Sequence, residues 1–118
     1  MFLILFVLHD TSKLEDVMKG WNSAGVNGIT VLVSTGFRKI TESNVLQEDM
    51  PLIFNIEDIL QDAESTNRTL FSVVKDESTV DKVVEATQKV VGDLNKPNTG
   101  ILTVIPASQA YGLDRVYD

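Results

Sequence analysis

Asn98, Thr99 and Gly100 stand directly ahead of the apolar run ILTVI. A small polar turn in that place can aim backbone N–H groups at a phosphate or carboxylate. Ile101 occupies the next position, where a cation would complete such a grip, and no lysine or arginine follows before Arg115. A second anion-binding candidate is Arg38 with Lys39, which follows Thr35, Gly36 and Phe37 at the end of another apolar run. His9 is the only histidine, so any imidazole base or metal cluster would have to be built around it. Its position after a strand suits a rim or capping role. Asp10 and Asp76 resemble a paired acid site, yet each precedes a helix, where capping and the helix dipole explain a carboxylate better. Glu48 with Asp49, and Glu57 with Asp58, read as solvated faces. No nucleophile–base pair and no metal-ligand spacing emerges, so no catalytic residue and no metal ligand is assigned.

Composition narrows the partners. The 118 residues suit one domain, 1–118, large enough to bury a core without disulfides or a metal. A net charge of −7 disfavours nucleic acid and anionic lipid. Cysteine is absent, which excludes disulfides and thiolate chemistry and fits a cytoplasmic location. The apolar run FLILFVL at Phe2–Leu8 has no basic flank and is too short to span a bilayer, which takes roughly 20 residues. It predicts a strand covered on both faces, and no membrane insertion is expected.

The positioning elements follow from periodicity. Ser12 and Glu15 have capping-box spacing, and Leu14, Val17, Met18, Trp21 and Ala24 form one helical stripe that Gly25 ends. A strand over 28–35 follows, rich in β-branched residues. The plan recurs: a strand over 69–74, a helix opened by Ser78 with Val80, Val83, Val84, Thr87, Val90 and Val91 on its stripe, Gly92 as its stop, and a last strand over 100–105 that Pro106 ends. HDTSKLEDV and KDESTVDKV match at a constant offset (76 − 10 = 66; 83 − 17 = 66). Two βαβ units related by duplication predict an α+β, ferredoxin-like fold, a four-stranded antiparallel sheet with both helices on one face. The halves are separated by an insert over about 38–68. Its 41–49 part is polar, and Pro51, Leu52, Ile53, Ile56, Ile59 and Leu60 predict a helix over 51–60.

With those residues in view, GVNGITVLVSTGF, the central insert and GDLNKPNTGILTVIP resemble the nitrogen regulatory P-II signalling proteins and their P-II-like relatives. The resemblance covers both halves outside the insert. It implies a homotrimer, adenine-nucleotide clefts between subunits, and a loop after the second strand that reports the ligand to a protein partner. Gly28, Thr30, Gly36, Phe37 and Gly100 match cleft positions, with Asn98 and Thr99 completing the turn, and Arg38 stands for the basic residue after the Gly-Phe pair. The departures are equally specific. The lysine expected after the late glycine is Ile101, and two expected arginines fall on Gly112 and Asp114. The signalling loop is replaced by the 41–62 insert, without counterparts to the family's base lysine or modified tyrosine. A triphosphate needs several cations to offset its charge and lost solvation. The expectation is therefore a non-enzymatic, trimeric signal-transduction protein whose effector is a small anion or an adenylate, AMP or ADP rather than ATP. Its partner would meet the 41–62 insert. Alternatives weighed from the residues are a CutA-like metal-tolerance trimer, against which the missing cysteine counts, and a ferredoxin-like small-molecule enzyme, for which only His9 speaks.

Overall fold

A computed structural model describes residues 1–36 and 66–113. The chain runs β1 (Phe2–Leu8), a 3-10 turn (Thr11–Lys13), α1 (Leu14–Ser23), β2 (Thr30–Ser34), β3 (Asn67–Val74), α2 (Glu77–Val91) and β4 (Gly100–Pro106). The strands form one sheet in the order β2-β3-β1-β4, with every neighbouring pair antiparallel. This is the α+β, ferredoxin-like arrangement that the duplicated pattern predicts. The helix predicted over 51–60 and the polar 41–49 stretch lie outside the described residues.

Alternation along the strands sorts the sheet into two faces. Ile4, Phe6 and Leu8 of β1 and Leu70 and Val74 of β3 are buried beneath the helices. Val17 and Trp21 of α1 and Val80, Val83 and Val91 of α2 complete that core. Both helical stripes thus fall where their 3.6-residue period puts them.

The caps differ in detail from the expected pattern. Ser12 does not cap α1; the helix has no side-chain cap at Lys13, and the Ser12–Glu15 box is not formed. Asp10 takes the role one turn earlier, its carboxylate accepting from Ser12 N (3.1 Å) and Ser12 Oγ (2.6 Å). The intervening 3-10 turn moves the acceptor upstream, so the serine donates rather than accepts. In the second half Asp76 accepts from Thr79 N (2.9 Å), Thr79 Oγ1 (2.7 Å) and Ser78 Oγ (2.9 Å), and α2 begins at Glu77.

The duplication has a geometric counterpart. Leu5 pairs with Phe71, residues that are equivalent under the repeat (71 − 5 = 66). A pseudo-two-fold axis therefore passes between them. On the helices, the equivalent residues Gly20 and Ala86 make the close approach: a Cβ at Gly20 would lie 3.4 Å from Ala86 Cβ. Beside them the buried Trp21 Nε1 donates to Thr87 Oγ1 at 2.9 Å, again across 66 residues. The symmetry fails in one place. Thr30 pairs with Phe71 and Thr103 with Leu5, so β2 and β4 are offset by 103 − 30 = 73 residues, seven more than the repeat. Two of those residues extend α2, three extend the start of β4, and two lengthen the connection 92–99 that carries Asn98 and Thr99.

Candidate functional site

The extended connection is tied down by its own hydrogen bonds. Asp93 accepts from Asn95 N at 2.9 Å, and Leu94 N donates to Gln88 Oε1 at 3.2 Å. Thr99 Oγ1 donates to Lys96 O at 2.9 Å, and Asn98 adopts φ 66°. Asparagine tolerates that left-handed conformation better than most residues. Pro97 and Asn98 form a hydrogen-bonded turn, which Thr99 closes back onto Lys96, and among the described residues the backbone N–H of Asn98 meets no acceptor. It is the donor an anion would use.

Gly100 is a glycine for a steric reason that needs no ligand. Its φ is 137°, and a Cβ there would stand 2.4 Å from Val7 O and 2.6 Å from the Phe6 ring. The turn can close onto β1 only without a side chain at that position.

Charge near the turn is mixed. Lys96, within the turn, and Arg68, at the start of β3, are cations that the sequence reading did not weigh. Register places Val33, Arg68, Leu8 and Gly100 in one row across the sheet. Arg68 and Gly100 are thus separated by two strand spacings, about 10 Å. The half-buried Arg68 donates through Nη1 to Asn67 O (3.1 Å) and Thr66 Oγ1 (3.5 Å). A row-by-row reading of the strand ends would have found Arg68, but strand register is not visible in the sequence. His9 follows Leu8 and lies at this same end, half-buried. Asp10 is there too, held below the usual carboxylate range by its hydrogen bonds from Ser12. Asp76 lies at the opposite end of the sheet, so the two aspartates do not form an acid pair; each is a cap.

Thr30 and Gly36, the other predicted site residues that are described, are not gathered around the turn within one chain. Thr30 is exposed on β2, and Gly36 follows the end of that strand. β2 and β4 are the two edges of the sheet, about 14 Å apart over three strand spacings. Phe37, Arg38 and Asp114 lie outside the described residues. Next to Gly36, Ser34 Oγ meets Thr69 Oγ1 at 2.8 Å and donates to Asn67 Oδ1, which closes the β2–β3 corner with a polar cluster.

Two further surfaces stand out. The sheet face away from the helices carries Leu3, Leu5, Val7, Phe71, Val73, Leu32, Ile101 and Ile105, with threonines between them. It bears no charged residue on the paired positions 2–8, 69–73 and 101–105. Leu32, Ile101 and Ile105 are 50%, 62% and 45% exposed. On the other side, a groove of about 510 Å³ runs between the outer flank of α1 and the segment leading into β2. It contains none of the predicted site residues.

Among the described residues no three His, Cys, Asp or Glu side chains gather to hold a metal, and no helix is long and apolar enough to cross a membrane. No family model matches the chain, and no curated protein matches it.

Proposed function

We propose that this is a P-II-like, non-enzymatic regulatory protein that assembles as a homotrimer and senses a small anionic effector in clefts between subunits. The effector is an adenylate with one phosphate, or a small anion of similar reach, and the 41–62 insert carries the response to a protein partner. The observation that carries this reading is the uncharged apolar sheet face. A surface of that extent is rare on a monomer and calls for a partner sheet. Once copies pack through it, the β2 end of one subunit and the Asn98–Thr99–Gly100 turn of another can line a common cleft, which a single chain keeps on opposite edges. The free N–H group of Asn98 and the nearby Lys96 suit one phosphate. Ile101 offers no charge for a second and third.

Calorimetry with AMP, ADP and ATP, on the parent protein and on Ile101→Lys, tests the reading. AMP should bind more tightly than ATP to the parent. A charge-assisted hydrogen bond is worth about 1.5–3 kcal/mol, so Ile101→Lys should raise ATP affinity roughly ten- to a hundredfold. Submicromolar ATP binding by the parent protein would sink the single-phosphate reading, and no adenylate binding at all would remove the effector from the proposal.

A further inference from the structure

Only one asparagine of the chain precedes a glycine: Asn27, in the stretch that leads from α1 into β2. Both residues are exposed and belong to no helix, strand or turn. Among the described residues, the Asn27 carboxamide and the Gly28 N–H meet no hydrogen-bond partner. The flanks, by contrast, are pinned. Val26 N donates to Trp21 O at 3.0 Å on one side, and the Ser72 hydroxyl donates to Gly28 O on the other.

The described fold gives no steric reason for glycine at position 28. A Cβ there would meet no described atom within 4 Å, and the backbone lies outside the left-handed region that favours glycine. What the missing side chain does leave is an unhindered peptide nitrogen beside a free amide. The other asparagines are placed differently. Asn44, Asn55 and Asn98 precede β-branched residues, and Asn22 and Asn67 lie within α1 and β3.

We propose that Asn27–Gly28 is a deamidation site, and that the isoaspartate formed there loosens the entry to β2. The Gly28 nitrogen gives up its proton and bonds to the side-chain carbonyl carbon of Asn27, whose bond to the amide nitrogen breaks as ammonia leaves. The succinimide ring then takes up one water. Opening at the side-chain carbonyl leaves aspartate. Opening at the main-chain carbonyl leaves isoaspartate, in which the chain runs through the former side chain. Amide and water become carboxylate and ammonium, and the net charge moves from −7 to −8 (−7 − 1 = −8). Isoaspartate also adds a backbone atom between two pins, Trp21 O and Ser72 Oγ, that are set for the shorter path. β2 begins just beyond them at Thr30 and is an edge strand paired only with β3, so its first residues come loose.

The parent protein is held in mildly alkaline buffer and sampled over time. Tryptic peptides are sequenced by electron-transfer mass spectrometry, which separates aspartate from isoaspartate at each position. The Gly20–Arg38 peptide should change from amide to acid at position 27, with isoaspartate in excess. Direct hydrolysis without the ring would give aspartate alone. Gly28→Ala should keep the parent's circular dichroism and convert about tenfold more slowly, because its Cβ hinders ring closure. Amide exchange in residues 30–32 should be about tenfold faster in the isoaspartate fraction than in fresh parent. Fresh Asn27→Asp, which adds the charge without the backbone atom, should exchange like the parent. Conversion to aspartate alone, conversion no faster at Asn27 than at Asn22 or Asn98, or equal rates in the parent and Gly28→Ala would each overturn the site. Parent-like exchange in the isoaspartate fraction would overturn the loosening. Should Gly28→Ala misfold, the isoaspartate excess at position 27 of the parent decides.

Discussion

Thr87 shows how one hydroxyl holds two elements. It interrupts a valine stripe, where a hydrophobic residue would fit the period equally well. Its Oγ1 donates to Val83 O at 2.7 Å and accepts from Trp21 Nε1 at 2.9 Å. The indole N–H is buried and has no other acceptor among the described residues, so removing the hydroxyl leaves it unpaired. Thr87→Val should therefore destabilise the fold by about 1–3 kcal/mol in denaturant titrations, although it adds apolar surface. Thr87→Ser keeps the acceptor and should lose much less. Trp21 is legible in the sequence as a core residue, since it falls on a helical stripe. Its partner is not, because a threonine on such a stripe gives no sign of what it faces. The 66-residue offset contained the pairing, but only the pseudo-two-fold axis turns equivalent positions into neighbours. Gly100 carries the same lesson in reverse: its sequence context suggests a ligand, while Val7 O and the Phe6 ring account for it fully.

The helices and strands are the most legible part, because burial of one face imposes their period. Their ends are less so. Ser12 and Glu15 have the spacing of a capping box, yet a 3-10 turn shifts the cap to Asp10. β2 starts at Thr30 rather than Gly28, and β3 starts at Asn67, where polar residues pair with Ser34. The second cap gives a testable consequence. Hydrogen bonds from the Thr79 side chain and backbone, then from Ser78, lower the Asp76 pKa. A carboxylate whose folded pKa is depressed stabilises above its ordinary value, and that contribution fades as pH falls through the folded pKa. Asp76→Ala should lower the thermal midpoint at neutral pH, because Thr79 N loses its acceptor. The loss should shrink as pH falls through the depressed folded pKa, where the parent carboxylate is protonated as well. Asp76→Asn, which keeps an acceptor oxygen, should retain more of the neutral-pH stability. Thermal melts by circular dichroism across that range check both, and an Asp76→Ala midpoint equal to the parent's at neutral pH would contradict the cap.

At the scale of the molecule, the candidate site is only half legible from one chain. Asn98 and Thr99 lie in a turn, as their sequence context suggests, and Arg68 escapes notice because only strand register brings it into the row of Gly100. Thr30 and Gly36 sit on the opposite edge, so any shared site needs a second copy. The apolar sheet face supplies the reason for one: FLILFVL is apolar on both faces, and the helices cover only one of them. The central claim is therefore assembly through that face. Sedimentation equilibrium at micromolar concentration measures it most directly. The account predicts a single species of 3 × 13.0 = 39.0 kDa. A species of 13.0 kDa that stays monomeric as concentration rises would contradict it.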